Sequence, residues 1–360
     1  MAKPDLFTPV ALGPYELRNR AVMPPMTRSR SPGAVPNEMN VEYYLQRASA
    51  GLIIAESTAI SPQGLGWINS PGIFTPAQIA GWRAVTHAVH AKGGTIFMQL
   101  WHAGRCSHYS VQPNNQPPVA PSPVQSNGRS NTPLGRVQHS PPRAFELAEM
   151  PGLVEQYRTA AQNALAAGFD GVEVHAANGY LLDQFLRDSI NRRTDAYGGS
   201  PENRVRIVLE IMRAVAGVFG PERVGIRVSP NNSYHDMKDS DPERLYATLA
   251  AGLNDIGIVY LHVVEGATND FPEPPFDFAA LRKSFRGRYI ANNKYDLARA
   301  NAAIAQGHAD LISFGRLYVA NPDLVERLRA GGPFNPLNTE HLYAGEAPGY
   351  VDYPMLPAAG

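Results

Sequence analysis

Short apolar runs alternate with amphipathic stretches along the chain. Eight of the runs read as strands, at 21–26, 51–55, 95–100, 171–175, 224–229, 258–263, 288–291 and 310–314. Helical patterns separate most of them. Eight buried-looking strands alternating with helices predict an α/β fold of the (β/α)8 kind, a TIM barrel of parallel strands. Helix starts are well marked. Thr75-Pro76-Ala77-Gln78 is a capping box with proline at the first helical position, and that helix stops at Gly93-Gly94. Ser200-Pro201, Asp241-Pro242 and Asn321-Pro322 repeat the cap-plus-proline signature. One connection breaks the rhythm: eight prolines and no long periodic segment lie between His102 and Met150. A doubly wound sheet with a long linker would also read this way. The barrel is preferred, with 102–150 as a capping excursion after strand three, because strand-end loops of barrels carry the active site. A surface loop without a role is the plain alternative for that excursion. Residues 1–360 then form one domain, with a C-terminal tail at 331–360 contributing to the site.

Composition narrows the partners. Hydrophobic residues make up 44% of the chain, enough to bury a large core. The 32 basic and 32 acidic residues give a formal net charge of zero, with no basic patch or charge block. Neither nucleic acid nor a membrane surface is therefore expected as a partner. No run of 18 apolar residues occurs, and the N-terminal stretch lacks the apolar core of a signal peptide. Cys106 is the only cysteine, so no disulfide, zinc cluster or iron–sulfur cluster can form from this chain alone, and no metal is expected. A reducing cytoplasm fits that usage.

The strand at 171–175 reads Gly-Val-Glu-Val-His, which puts Glu173 and His175 on one face. Arg227 holds the equivalent place in Gly225-Ile226-Arg227-Val228-Ser229. With the valines and isoleucine toward the helices, Glu173 and Arg227 point into the barrel, where an unpaired charge is costly. They are expected to interact, or each to find another polar partner. A guanidinium at the barrel mouth hints at an anionic cofactor; a structural ion pair is the alternative. His175, Asn178 and Tyr180 lie within six positions at the same strand end. His175 and Asn178 offer N–H donors that could grip one carbonyl oxygen. A phenol with a pKa of about 10 stays protonated at neutral pH, so Tyr180 could deliver a proton to carbon. Alone the spacing says little, because His and Asn at strand ends often only hydrogen-bond their own loops.

Two more strand ends look like a phosphate seat. One is Gly315-Arg316 with the Asn321-Pro322 helix start; the other is Asn292-Asn293-Lys294. No P-loop or dinucleotide fingerprint is present, which points to a mononucleotide. The early strands bring Pro24-Pro25-Met26-Thr27, Glu56-Ser57-Thr58-Ala59 and Gln99-Leu100-Trp101-His102 to the same rim. Ala59 permits close approach of a flat ring, Gln99 can donate to and accept from a ring edge, and Trp67 and Trp101 can form apolar walls. Singly, each reads as ordinary core or loop.

Six ordered segments resemble one family over nearly the whole chain, the FMN-dependent ene-reductases of the old yellow enzyme family. They are NRAVMPPMTRSR at 19–30, VEYYLQRAS at 41–49, MQLWHAGR at 98–105, HAANGYLLDQFLRDSINRRTDAYGGSPENR at 175–204, ISFGRLYVANPDLVERL at 312–328 and GYVDYP at 349–354. The resemblance implies tightly bound, non-covalent FMN. Pro25, Met26 and Thr27 would lie along the flavin, Ala59 and Gln99 at its pyrimidine portion, and Arg227 by N1 and O2. Asn293, Lys294, Gly315 and Arg316 would bind the phosphate. His175 and Asn178 would hold the substrate's electron-withdrawing oxygen, Tyr180 would donate the proton, and Trp67, Trp101 and Tyr343 would line the substrate space. Three positions depart from the common pattern. Asn293 stands where glycine is frequent, Asn178 where many relatives have a second histidine, and Trp67 where tyrosine is common.

The implied reaction has two stages. NADPH or NADH reduces FMN. An α,β-unsaturated carbonyl, imide or nitroalkene then takes hydride from flavin N5 at its β-carbon and a proton from Tyr180 at its α-carbon. A nitrate-ester or nitroaromatic reductase on the same scaffold is the nearest alternative. A phosphate-binding barrel lyase or isomerase without flavin, or a flavoprotein that senses ligand without turnover, are the others. The expected partner is a small-molecule activated alkene, bound by a monomer or homodimer.

Overall fold

The computed structural model describes residues 3–267 and 273–357; the final residues of the expected tail, 358–360, lie outside the described residues. Eight parallel strands close into a barrel in chain order. They are β1 (Ala21–Met23), β2 (Leu52–Ala59), β3 (Ile96–Trp101), β4 (Gly171–Ala176), β5 (Val224–Val228), β6 (Tyr260–Val264), β7 (Arg288–Asn292) and β8 (Leu311–Ser313). Ile312 of β8 pairs with Ala21 of β1, which closes the ring. A principal helix follows each strand: α1 (Glu38–Leu45), α2 (Pro76–Ala91), α3 (Met150–Ala166), α4 (Arg206–Phe219), α5 (Pro242–Ile256), α6 (Phe278–Ser284), α7 (Leu297–Ala305) and α8 (Leu324–Ala330). The barrel expected from the alternating pattern is the one observed.

Strand limits differ where the backbone dictates. β1 stops at Met23 because Pro24 and Pro25 have no N–H to give to a ladder. β2 runs past Ala55 to Ala59, with a shift of register between Ala55 and Thr58. The capping box of α2 forms as expected: Gln78 N donates to Thr75 Oγ1 (3.3 Å), and Thr75 N donates to Gln78 Oε1 (3.0 Å). Asp241 caps α5 by accepting from Arg244 N at 3.1 Å. Ser200 caps the short helix Pro201–Arg204. Asn321-Pro322 does not start a helix. Asn321 ends the short helix Gly315–Ala320, and its side-chain oxygen already accepts from Asn335 N at 2.7 Å. α8 begins only after Asp323, so the helix at the rim starts at Gly315 itself.

The excursion at 102–150 has local order of its own. Arg129–Thr132 and Gly135–Gln138 pair as an antiparallel hairpin, and Val119–Ala120 pairs with Arg143–Ala144. Ile68 N donates to Asn131 O (2.8 Å), which ties the hairpin to the loop after β2.

The barrel interior divides by height. At the N-terminal ends of the strands, Val22, Leu52, Ile54, Phe97, Ile290 and Leu311 pack with Val10, Leu12 and Leu17 of an N-terminal hairpin. Val172, Val174, Ile226 and Val228 face the helices in the main core. The inward positions of β4 and β5 are the polar ones, as alternation predicts. Glu173 accepts from Gln99 Nε2 and from His262 Nδ1, both at 2.8 Å, and all three are fully buried. Ser57 Oγ donates to Gln99 Oε1 (2.7 Å), and His262 Nε2 meets Ser313 Oγ (2.9 Å). Arg227 finds a different partner, donating to Asn292 Oδ1 at 3.0 Å.

Glu173→Ala leaves Gln99 and His262 without their buried acceptor and removes the nearest anion to Arg227. A loss of about 3–5 kcal/mol is expected, read as a lowered denaturant midpoint. A loss below about 1 kcal/mol would show that the network carries little stability.

Candidate active site

A cavity of about 440 Å³ opens at the C-terminal ends of the strands. Pro25, Met26 and Thr27 line it after β1, Ser57 from β2, His175 from β4 and Arg227 from β5. The segments Asn292–Tyr295 and Ser313–Leu317 line it after β7 and β8, with Trp67, Asn178, Tyr180, Tyr234 and Tyr343. No carboxylate is among these residues; the charged ones are Arg227, Lys294 and Arg316. A larger cavity, about 620 Å³, lies on the outer wall against α6 and α7 and holds none of the expected site residues.

The turn after β4 is built to hold its polar groups in place. Asn178 takes φ +57° and Gly179 takes φ +77°, which reverses the chain directly after the strand. Asn178 N donates to Ser229 Oγ (2.8 Å), and Gly179 N donates to Asp183 Oδ2 (2.9 Å). Asp183 is itself fixed by a buried ion pair with Arg187 at 2.9 Å. His175 Nδ1 accepts from Ala177 N at 3.2 Å, so the ring carries its proton on Nε2. Burial, aided by the Arg227 cation, holds His175 well below the usual imidazole range and keeps it neutral. Tyr180 packs edge-on against His175 (5.1 Å between centroids) and Trp101 (5.3 Å). Burial raises the Tyr180 phenol well above its usual value, with Tyr234, Cys106 and Tyr343 adding to the effect. Its hydroxyl has no hydrogen-bond partner among the described residues.

The opposite side of the cavity is cationic. Asn293 adopts φ +106° and Lys294 φ +54°, conformations that favour glycine. Asn293 is held there by its own amide, which donates to Glu265 O (2.8 Å) and Ala267 O (2.6 Å). The side chain is thus turned away, and the backbone is what it offers the cavity. Lys294 and Arg316 make no ion pair among the described residues. Arg227 Nε is buried without a partner, as is Asn178 Oδ1. A donor stranded on a buried guanidinium, two uncommitted cations and a backbone seat suit a flat cofactor that carries a phosphate.

The chain matches the model of the NADH:flavin oxidoreductase / NADH oxidase family over residues 5–335. It belongs to that family. Among similar proteins, a putative 12-oxophytodienoate reductase 11 of Oryza sativa subsp. japonica is 43% identical, covering 98% of each chain. The 12-oxophytodienoate reductase 2 of Arabidopsis thaliana is 40% identical, covering 98% of this chain and 96% of its own. Among solved structures, morphinone reductase superposes with a TM-score of 0.95 at 48% identity, covering 99% of this chain and 97% of that one. The old yellow enzyme homologue from Zymomonas mobilis gives a TM-score of 0.95 at 44% identity, over 98% and 100%. The protein is accordingly an NAD(P)H-dependent flavin oxidoreductase of the old yellow enzyme family, whose members depend on FMN.

In this flavin oxidoreductase, the cavity collects Pro25, Met26, Thr27, Trp67, His175, Asn178, Tyr180, Arg227, Asn293, Lys294, Gly315, Arg316 and Tyr343. Ala59, Gln99 and Trp101 do not line it. Ala59 packs with Trp101 and Ala103, and Gln99 stands behind Ser57 in the Glu173 network. Ser57 and Tyr234 line the cavity without having been singled out. Both lie at or just beyond strand ends, in Glu56-Ser57-Thr58 and Asn232-Ser233-Tyr234, where a systematic reading of the rim finds them.

Burial also sets a pH dependence. His102 and His139 are pushed down to about 3 and His235 to about 4; His175 and His262 are lowered too. Below the unfolded value of about 6.5, the unfolded chain binds protons that the native chain refuses, so stability falls with pH. Each histidine costs up to about 1.4 kcal/mol per pH unit in that range. Glu56, raised by burial to about 7, works the other way as pH falls, but it is one group against five. The denaturation midpoint should drop steeply from pH 6.5 to 5; a flat profile would show these imidazoles charged in the native state.

Proposed function

We propose that the protein is an FMN-dependent ene-reductase. Its substrates are α,β-unsaturated carbonyls, imides or nitroalkenes, and NADH or NADPH is the reductant. The observation that carries this reading is the convergence of His175, Asn178 and Tyr180 on the cavity that Arg227 enters from the adjacent strand. Relatives are named as reductases of 12-oxophytodienoate and morphinone, and a morphinone reductase structure is described in complex with tetrahydroNAD. Bound FMN supplies the hydride chemistry, and the protein orients and polarises. Arg227, Asn293, Lys294, Gly315 and Arg316 would hold its anionic portions and Pro25, Met26 and Thr27 its ring, while Ala59 and Gln99, which do not line the cavity, would act only from behind it.

The chain's own residues then do three things. Neutral His175 presents Nε2–H, and with the Asn178 amide it holds the substrate's activating oxygen and draws electron density from the C=C bond. Tyr180, kept protonated by burial, gives its proton to the α-carbon. Trp67 and Tyr343, 5.3 Å apart and edge to face, give the cavity an aromatic wall for the substrate, and Trp101 braces Tyr180.

Tyr180→Phe should slow alkene reduction by about 10²–10⁴-fold while flavin reduction by NAD(P)H stays within about two-fold, read by anaerobic stopped flow. Equal loss in both half-reactions would sink the proton-donor role. His175→Ala should weaken binding of phenol ligands by about tenfold or more, followed by flavin absorbance. Unchanged affinity would remove the oxygen clamp. Turnover of a nitroaromatic or nitrate ester, with no activated alkene reduced, would favour the other reductase chemistry instead.

A further inference from the structure

Beside Tyr180, outside the lining of the cavity, three buried groups have no part in the reaction above. They are Cys106, His139 and His235. One ligand atom from each lies within 4.8 Å of the others. The three come from different segments: the loop after β3, the end of the excursion hairpin and the loop after β5. The Cys106 thiol donates to Gly179 O at 3.2 Å and lies 3.3 Å from His235 Nδ1. His235 Nδ1 also meets Asn178 O at 3.1 Å.

Hydrogen bonding accounts for Cys106 and His235 but not for His139. His139 is 1% exposed, and neither of its ring nitrogens has a hydrogen-bond partner. The Arg129 backbone lies near it without completing a bond. Stranding a polar group in this way costs about 1–3 kcal/mol. The ring nonetheless packs edge to face on His235, with centroids 5.3 Å apart. Gly128 makes that approach possible. A Cβ there would stand 2.6 Å from His139 Cε1 and 2.7 Å from His235 Cδ2.

We propose that Cys106, His139 and His235 form a three-ligand site for a thiophilic d10 cation such as Zn²⁺, with water as fourth ligand. Sulfur and imidazole nitrogen are the donors such ions take, at about 2.3 and 2.0 Å. A tetrahedral site of that size sets its donors about 3.5 Å apart, so ring rotations of about an ångström close the observed cluster. Burial holds both imidazoles neutral, at about 3 and about 4, which is the state that ligates. Burial raises the thiol to about 12, while the Arg105 cation favours its thiolate. Binding displaces the thiol proton to solvent, and no electron changes hands. Arg105 also donates to the His235 carbonyl, and its charge opposes a cation, as does the burial that favours the protonated thiol. An ion would pin the excursion hairpin to the loop after β5, whose His235 ring lies 5.6 Å from that of Tyr180. The inference is independent of which alkene, if any, the enzyme reduces.

The test uses the flavin-loaded full chain, stripped with a chelator, then equilibrated with ZnCl₂ by dialysis. Metal analysis should find one zinc per chain, and X-ray absorption should show one sulfur and two imidazole nitrogens. Cys106→Ser and His139→Gln should each weaken binding at least about tenfold. His308→Gln, on the far wall, should not. His139 has no hydrogen bond to lose, so its variant keeps the test alive if Cys106→Ser does not fold, with flavin content reporting the fold. No retained zinc, or zinc retained equally by His139→Gln, would overturn the proposal.

Discussion

A guanidinium buried inside a closed barrel sets the terms for everything around it. Arg227 is 7% exposed, and burial alone disfavours its charge. The barrel answers with Glu173 from the next strand as the strongest opposing influence, and with Asn292 as a hydrogen-bond acceptor. Glu173 cannot serve Arg227 alone, because Gln99 and His262 already donate to it. The network therefore stops one bond short, with Arg227 Nε unpaired. A core designed only for stability would replace such a group with hydrocarbon, since buried ion pairs are often no better than a well-packed apolar side chain. The apolar plug at the opposite end of the barrel supplies the packing that makes this tolerable.

Backbone strain collects at the same end of the barrel. Asn178, His235, Asp236, Asn293 and Lys294 all have positive φ, and they follow β4, β5 and β7. Each non-glycine residue held so costs of order 1 kcal/mol and persists only when its surroundings overdetermine it. The surroundings do so with specific bonds. Ser229 takes the amide of Asn178, Asp183 takes that of Gly179, and the Asn293 side chain is bound to two carbonyls. Thus the loops that carry the candidate chemistry are fixed by side chains of the scaffold.

How much of this was legible in the sequence depended on the kind of signal. Alternation in Gly171–Ala176 and Val224–Val228 fixed which side chains point inward, because the side-chain period of a strand is two. Thr75 and Asp241 announced their helices because a cap is a local bond. Asn321-Pro322 carried the same local pattern and failed, since a distant residue, Asn335, had claimed the capping oxygen. Sequence cannot display that competition. For the same reason Gln99 was expected at the rim, when two long-range bonds to Ser57 and Glu173 hold it behind the cavity. The hairpin at 129–138 escaped notice because strands of four residues leave too little periodicity to see.

The two sides of the cavity differ in charge, and that difference follows from burial. On the strand-four side, His175 and Tyr180 are shifted in opposite directions, yet both shifts favour the neutral form. Desolvation penalises an imidazolium and a phenolate alike. On the other side stand Lys294 and Arg316, while Arg227 lies beside His175 on the adjacent strand, and no carboxylate among the lining residues answers any of the three. A cavity that is neutral at one wall and cationic at the other sorts its occupants. An anionic cofactor gains at the cationic wall, and an uncharged substrate meets donors that need not first be ionised or neutralised. Since neither His175 nor Tyr180 changes charge near neutrality, their hydrogens are in place before any ligand arrives. That preorganisation is what would let one turn of chain, held by Ser229 and Asp183, carry both of the roles proposed for it.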